Sequence, residues 1–379
     1  MAKFTLLLFV LSACLFFSQL TAQDLHPLYL SASEKYKVKD YKGAIADCNK
    51  LLKIKPGDFD ATYLIAYAKY ELKDFPAALE DANKLLKKEN PTWTIADLYY
   101  FRGLIYLELN QHQNACNDFT RKIDQRPLLS PFAYFKRGLA KINLNDYPGA
   151  IQDFTKAGVQ CPTCDEFFKF NALAKVKTND LKGALADYNR LIELKPDESE
   201  FYKERGEVKS GLEDNEGAMA DFNKAISINP KNPVYYYDRA SVLTAKEDYY
   251  GAIKDLQKAA ELNPRIEEIY IAISDNYIGL NDFEKALRYI NMAISVNTKN
   301  IFTLNLRGLL KSKINDYAGA LADYNNNILL FPNEWRTYVL RGKLKFEHLA
   351  DKAGACSDFR KAKELGSDSA AQLIQENCN

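Results

Sequence analysis

Cys161-Pro162-Thr163-Cys164 is the stretch whose spacing most directly suggests chemistry, because two thiols three positions apart suit dithiol–disulfide exchange. Exchange enzymes seat such a pair where a strand gives way to a helix. No strand pattern precedes Cys161, so the pair reads as a local disulfide instead. Cys356 and Cys378 lie 22 positions apart near the C-terminus, and a bond between them would pin the chain end. Cys48 and Cys116 read as unpaired thiols, Cys48 in a core position. His26, His112 and His348 are scattered. HExxH, GxxxxGK[ST] and a GxGxxG turn are all absent. These residues give no catalytic constellation, no metal site and no cofactor site, and the expectation is a protein that is not an enzyme.

Composition narrows the class further. Hydrophobic residues make up 47% and charged residues 27%, which favours a folded chain. The 51 basic and 50 acidic residues nearly cancel, so the basic excess of a nucleic-acid binder is missing. Residues 4–17, FTLLLFVLSACLFF, follow Lys3 and are too short to span a bilayer. They read as the core of a secretory signal peptide over residues 1–22. Two exits fit. Cleavage after Ala22 is preferred, and the minority reading makes Leu11-Ser12-Ala13-Cys14 a lipobox with a lipid anchor at Cys14. The expected destination is export to a periplasm or cell envelope, with no transmembrane span in the mature chain.

The elements that must position any site come from a repeat. Phrases such as DYPGAIQDF at 146–154, DLKGALADY at 180–188 and DYAGALADY at 316–324 recur along the chain. Their shared Ala falls at 44, 78, 115, 150, 184, 218, 252, 286, 320 and 355, mostly 34 residues apart. Twelve residues earlier, or thirteen in the last copy, stands a small residue: Ala32, Ala66, Gly103, Gly138, Ala172, Gly206, Ala240, Ser274, Gly308 or Gly342. Small residues at this spacing predict two helices crossing closely. A bulky residue follows the Ala by four in most copies, as at Phe119, Phe154 and Phe222, on the same helix face. Pro closes seven units. Arg precedes the small residue in six copies, and Asp follows the Ala by three in nine. That ladder reads as framework in preference to a ligand surface.

This pattern resembles the tetratricopeptide repeat (TPR) family over residues 25–366, about ten copies. The resemblance implies an all-α, right-handed superhelical solenoid of helix pairs, and residues 367–379 read as a C-terminal capping helix. It implies a protein or peptide partner held by the first helices of the pairs, at positions 5, 9 and 12 when the small residue is numbered 8. Those positions are Tyr63, Tyr67 and Tyr70, then Tyr100, Leu104 and Leu107, then Phe135, Leu139 and Ile142. The strip turns mixed beyond them, with Lys169, Leu173, Lys203 and Glu207. It suits an apolar peptide or helix groove. Alternatively it is buried by the fold, or covered by residues 23–30. The carboxylate clamp of one TPR subtype is missing, since Lys169 is followed four later by Leu173 and Lys203 by Glu207. The leading functional expectation is an exported interaction scaffold. A structural spacer without a groove is the alternative, and an enzyme on a repeat scaffold has little support.

Overall fold

The computed structural model describes residues 26–87 and 95–378, so the signal segment and Cys14 lie outside the described residues. Every regular element among the described residues is helical. The chain divides into two compact units, ending at Asp187 and beginning at Tyr188. In the first, the helices are α1 (Pro27–Lys37), α2 (Tyr41–Ile54), α3 (Phe59–Glu71), α4 (Phe75–Leu85), α5 (Ile95–Glu108), α6 (His112–Gln125), α7 (Pro131–Asn143), α8 (Tyr147–Gln160) and α9 (Asp165–Lys177), with α10 (Leu181–Leu194) spanning the division. The second holds α11 (Ser199–Gly211), α12 (Asn215–Ile228), α13 (Pro233–Ala245), α14 (Tyr249–Leu262), α15 (Glu267–Gly279), α16 (Phe283–Val296), α17 (Ile301–Lys313), α18 (Tyr317–Leu330), α19 (Trp335–His348), α20 (Lys352–Glu364) and α21 (Asp368–Asn377). Within each unit every helix packs on the next, and the contact is tightest inside a pair.

The turn inside each pair follows the same backbone path ten times. One non-glycine residue takes a left-handed conformation, from Lys39 through Asn145 and Glu247 to Ala350. Asn fills five of the ten places, as its short polar side chain tolerates this region best. In nine of the ten an Asp follows and caps the second helix, as where Asp146 Oδ1 accepts from the Gly149 N–H at 3.0 Å, whereas Gln111 in the third pair makes no side-chain cap. The capped residue is usually Gly because a Cβ there would press on the Asp carboxylate. Where it is Ala77 the capping bond lengthens to 3.3 Å, against 2.9 Å at Gly43.

Size matching governs the helix crossing. The five glycines 103, 138, 206, 308 and 342 each lie under the ring of Phe119, Phe154, Phe222, Tyr324 or Phe359, where a Cβ would come within 2.5–2.7 Å of ring carbon. Where the small residue is Ala32, Ala66, Ala240 or Ser274, the matching position holds Cys48, Ala82, Leu256 or Ile290. Gly thus meets an aromatic ring in five pairs and Ala or Ser a smaller group in four, which keeps those crossings close-packed, while the fifth pair seats the buried Tyr188 against Ala172.

Arg and Asp form the predicted ladder. Arg137 Nε and Nη2 donate to Asp153 at 2.9 and 2.7 Å, and Arg205 does the same to Asp221 at 2.8 and 2.5 Å. Lys141 and Lys209 complete each carboxylate at 2.8 and 2.9 Å. The remaining Arg nitrogen, Nη1, reaches back to the preceding pair: Arg102 to Asn83, Arg137 to Thr120 and Arg239 to Asn223, all within 2.8 Å. One side chain therefore fixes both the pair and the stacking. The eighth pair lacks both partners. Ile273 is buried there, Tyr289 stacks on Tyr277, and the buried Glu267 carboxylate takes hydrogen bonds from Asn297 and Asn300 at 2.7 Å.

Candidate interaction face

The nine strip residues lie on the first helices α3, α5 and α7 of their pairs, and the structure sorts them in two. Tyr63 and Tyr67 are 8% exposed, Tyr100 6%, Leu104 9% and Phe135 2%. These five are core side chains, and the protein itself supplies their neighbours. Phe101, fully buried, stacks on Tyr67 at 3.9 Å and lies 6.1 Å from Tyr63. Phe135 packs between Phe154, Phe167 and Phe170 at 5.7, 4.7 and 5.5 Å. Burial pushes the Tyr63, Tyr67 and Tyr100 hydroxyls well above the usual phenol range. Tyr70, Leu107, Leu139 and Ile142 are only half-buried, and they form the accessible edge of the strip.

The spacing rule overlooked the residue two before the small one. Phe101 and Phe170 occupy that place and fill the room between successive first helices. Lys136 holds it in α7, with its ammonium 5.5 Å over the Phe135 ring. Burial lowers the Lys136 pKa, while Glu166 and Glu108 oppose the shift. Tyr70 donates to Glu108 at 3.3 Å, so the apolar edge is bordered by charge.

First helices of the second unit present a different surface. Lys203 pairs with Glu207 at 2.9 Å along α11. Burial pushes the Asp238 carboxyl up to about 7, with Glu207 and Glu200 adding to the shift and Lys203 opposing it. Asp238 Oδ2 is buried without a hydrogen-bond partner. Thr244 donates to Asn276 across the pairs at 2.8 Å. In the first unit, Lys169 is half-buried and Leu173 and Val176 are exposed on α9.

The residues with chemical potential are separated. Cys161 bonds Cys164, and Cys356 bonds Cys378. Cys48 and Cys116 are buried free thiols, with burial raising Cys48 to about 12. His26 caps α1, His112 opens α6, and His348 stacks on Tyr317 at 4.3 Å. No group of three His, Cys, Asp or Glu side chains among the described residues is arranged to hold a metal, and no helix there is long and apolar enough to cross a membrane.

No curated protein matches the chain in sequence. The C-terminal part of a TPR repeat-containing protein from Cytophaga hutchinsonii superposes with a TM-score of 0.51 at 20% identity, covering 73% of this chain and 98% of that one. A TPR protein from Parabacteroides merdae gives 0.48 at 20% identity, with 66% and 99% covered. YrrB, described as a TPR protein with an unusual peptide-binding site, gives 0.42 at 17% identity, with 50% and 97% covered. Tetratricopeptide repeat models match residues 96–127, 171–233, 234–266 and 267–300. By those matches, the chain carries tetratricopeptide repeats over residues 96–127 and 171–300.

Proposed function

We propose that the chain is an exported interaction scaffold that holds an apolar peptide or helix of a partner protein on α3, α5 and α7. The observation that carries this reading is the half-buried edge of Tyr70, Leu107, Leu139 and Ile142 on helices that also hold the strip's buried rings. The family match and the use of such repeats as extended binding surfaces support it. Export rests on the apolar segment after Lys3, and N-terminal sequencing of the mature protein tests it, with Gln23 the expected first residue.

A structural spacer is the second reading, favoured by the burial of five of the nine strip residues. One experiment separates the two. Wild-type protein and a Tyr70→Ser/Leu139→Ser variant are immobilised and exposed to an envelope extract. The scaffold reading expects a species retained by wild type and lost, by tenfold or more, from the variant, with unchanged helical circular dichroism. Equal retention by both proteins supports the spacer.

A further inference from the structure

The last helix, α21, is held differently from every other. Its predecessor α19 buries Thr337, Tyr338, Val339, Gly342 and Leu344, whereas α21 fully buries only Ala370. Leu373 and Ile374 are half-buried, and the remaining side chains of its ten residues are largely exposed. A helix this short is marginal without tertiary support. Its N-terminus has one side-chain cap, Ser367 Oγ accepting from the Ala370 N–H at 3.3 Å. At its far end Cys378 is bonded to Cys356 in α20. Beneath it lie Tyr338, Val339 and Ala362, with Trp335, Ile328 and Leu365 beside them. That apolar face is the one which every earlier pair of this unit hides under the first helix of the next pair.

We propose that the Cys356–Cys378 bond is a redox-sensitive latch that keeps α21 closed over the last pair. The bond closes a loop with a sequence separation of 22, which favours the closed cap by on the order of 100-fold in the chain-entropy picture. Cys356 is buried and Cys378, at the helix C-cap, is half-exposed, so an incoming thiolate meets Cys378 Sγ first. A dithiol reductant supplies the two electrons and two protons. Its thiolate bonds to Cys378 Sγ and the Cys356–Cys378 bond breaks, leaving Cys356 as a thiolate that takes up a proton. The second thiol of the reductant then attacks the reductant's own sulfur in the mixed disulfide. That step releases and protonates Cys378 and leaves the reductant as a disulfide. Cys161–Cys164 serves as the internal contrast. It spans three positions, and its turn is also held by the Cys164 N–H donating to Cys161 O at 3.1 Å. Opening it frees no helix.

Hydrogen exchange read by mass spectrometry on the full chain tests the latch, using dithiothreitol as the reductant. On reduction, residues 368–377 should exchange at least tenfold faster, while α19 keeps its protection. Cys378→Ser should show the fast exchange without reductant. Cys161→Ser/Cys164→Ser should stay protected when oxidised and lose protection at 368–377 when reduced. Unchanged exchange at 368–377 in fully reduced wild type overturns the proposal, and so does trapping of Cys378 as a free thiol in the oxidised protein.

Discussion

The first helices of pairs two to four and those of pairs six and seven stand on one framework and present opposite chemistry. Both regions share the glycine-under-ring crossing, at Gly138 with Phe154 and at Gly206 with Phe222. Both share the Arg–Asp fork and the Asp-capped turn. On that common frame the first region gathers Tyr63, Tyr67, Phe101 and Phe135, and the second sets out Lys203, Glu207, Asp238 and Thr244. Fold information resides at the small residue, the core Ala and, in nine pairs, the Asp after it, joined by Arg in six, leaving the inner positions free to differ.

Three sets of substitutions test how separable frame and face are. The largest effect is expected at the fork. Asp153→Ala in the first region and Asp221→Ala in the second each leave an Arg and a Lys facing one another around an empty place. Each should cost about 3 kcal/mol in denaturant unfolding. A large difference between the two costs would show that the frame is not shared.

Gly138→Ala comes next. Its new Cβ would sit about 2.5 Å from the Phe154 ring, and overpacking of this kind costs about 1–3 kcal/mol. Phe154→Leu in the same chain reproduces the natural Ala240–Leu256 combination and should recover part of the loss. A double-mutant cycle with no favourable coupling would break the size-matching account.

The smallest effect belongs to the polar face. Folded Asp238 titrates near 7 against a usual value of 3.8, so the folded state binds the extra proton between those values. Stability therefore falls as pH rises from about 4 through 7, and the loss is complete above the folded value. Asp238→Asn should match wild type near pH 4 and melt higher at pH 8, by on the order of 1 kcal/mol once solvent screening is allowed for. Identical melting curves at pH 8 would show that Asp238 is better solvated than its burial implies.

Much of the frame was legible because it is written ten times. The period, the Ala and Gly crossings, the Arg–Asp pairing and the final helix all follow from residue types at fixed offsets. The face was less legible. Spacing placed Tyr63, Tyr67 and Tyr100 on one side of their helices, yet it says nothing of how near the next helix comes. Phe101 closes that gap, and its bulk at a position outside the strip was the available signal. Tyr67→Ser and Tyr100→Ser, harmless substitutions on an open groove, are cavity-forming changes in this structure.

The backward reach of Arg Nη1 has a consequence for how such a chain can grow. Within the ladder, a cut between pairs severs one hydrogen bond, such as Arg239 to Asn223, whereas a cut inside a pair severs a two-pronged ion pair such as Arg239 to Asp255. Units are therefore most cheaply duplicated, grafted or deleted at the junctions that Pro marks, provided the donor brings Asn or Thr in its second helix. A transplanted cassette lacking that residue would stack with its neighbour's guanidinium one hydrogen bond short.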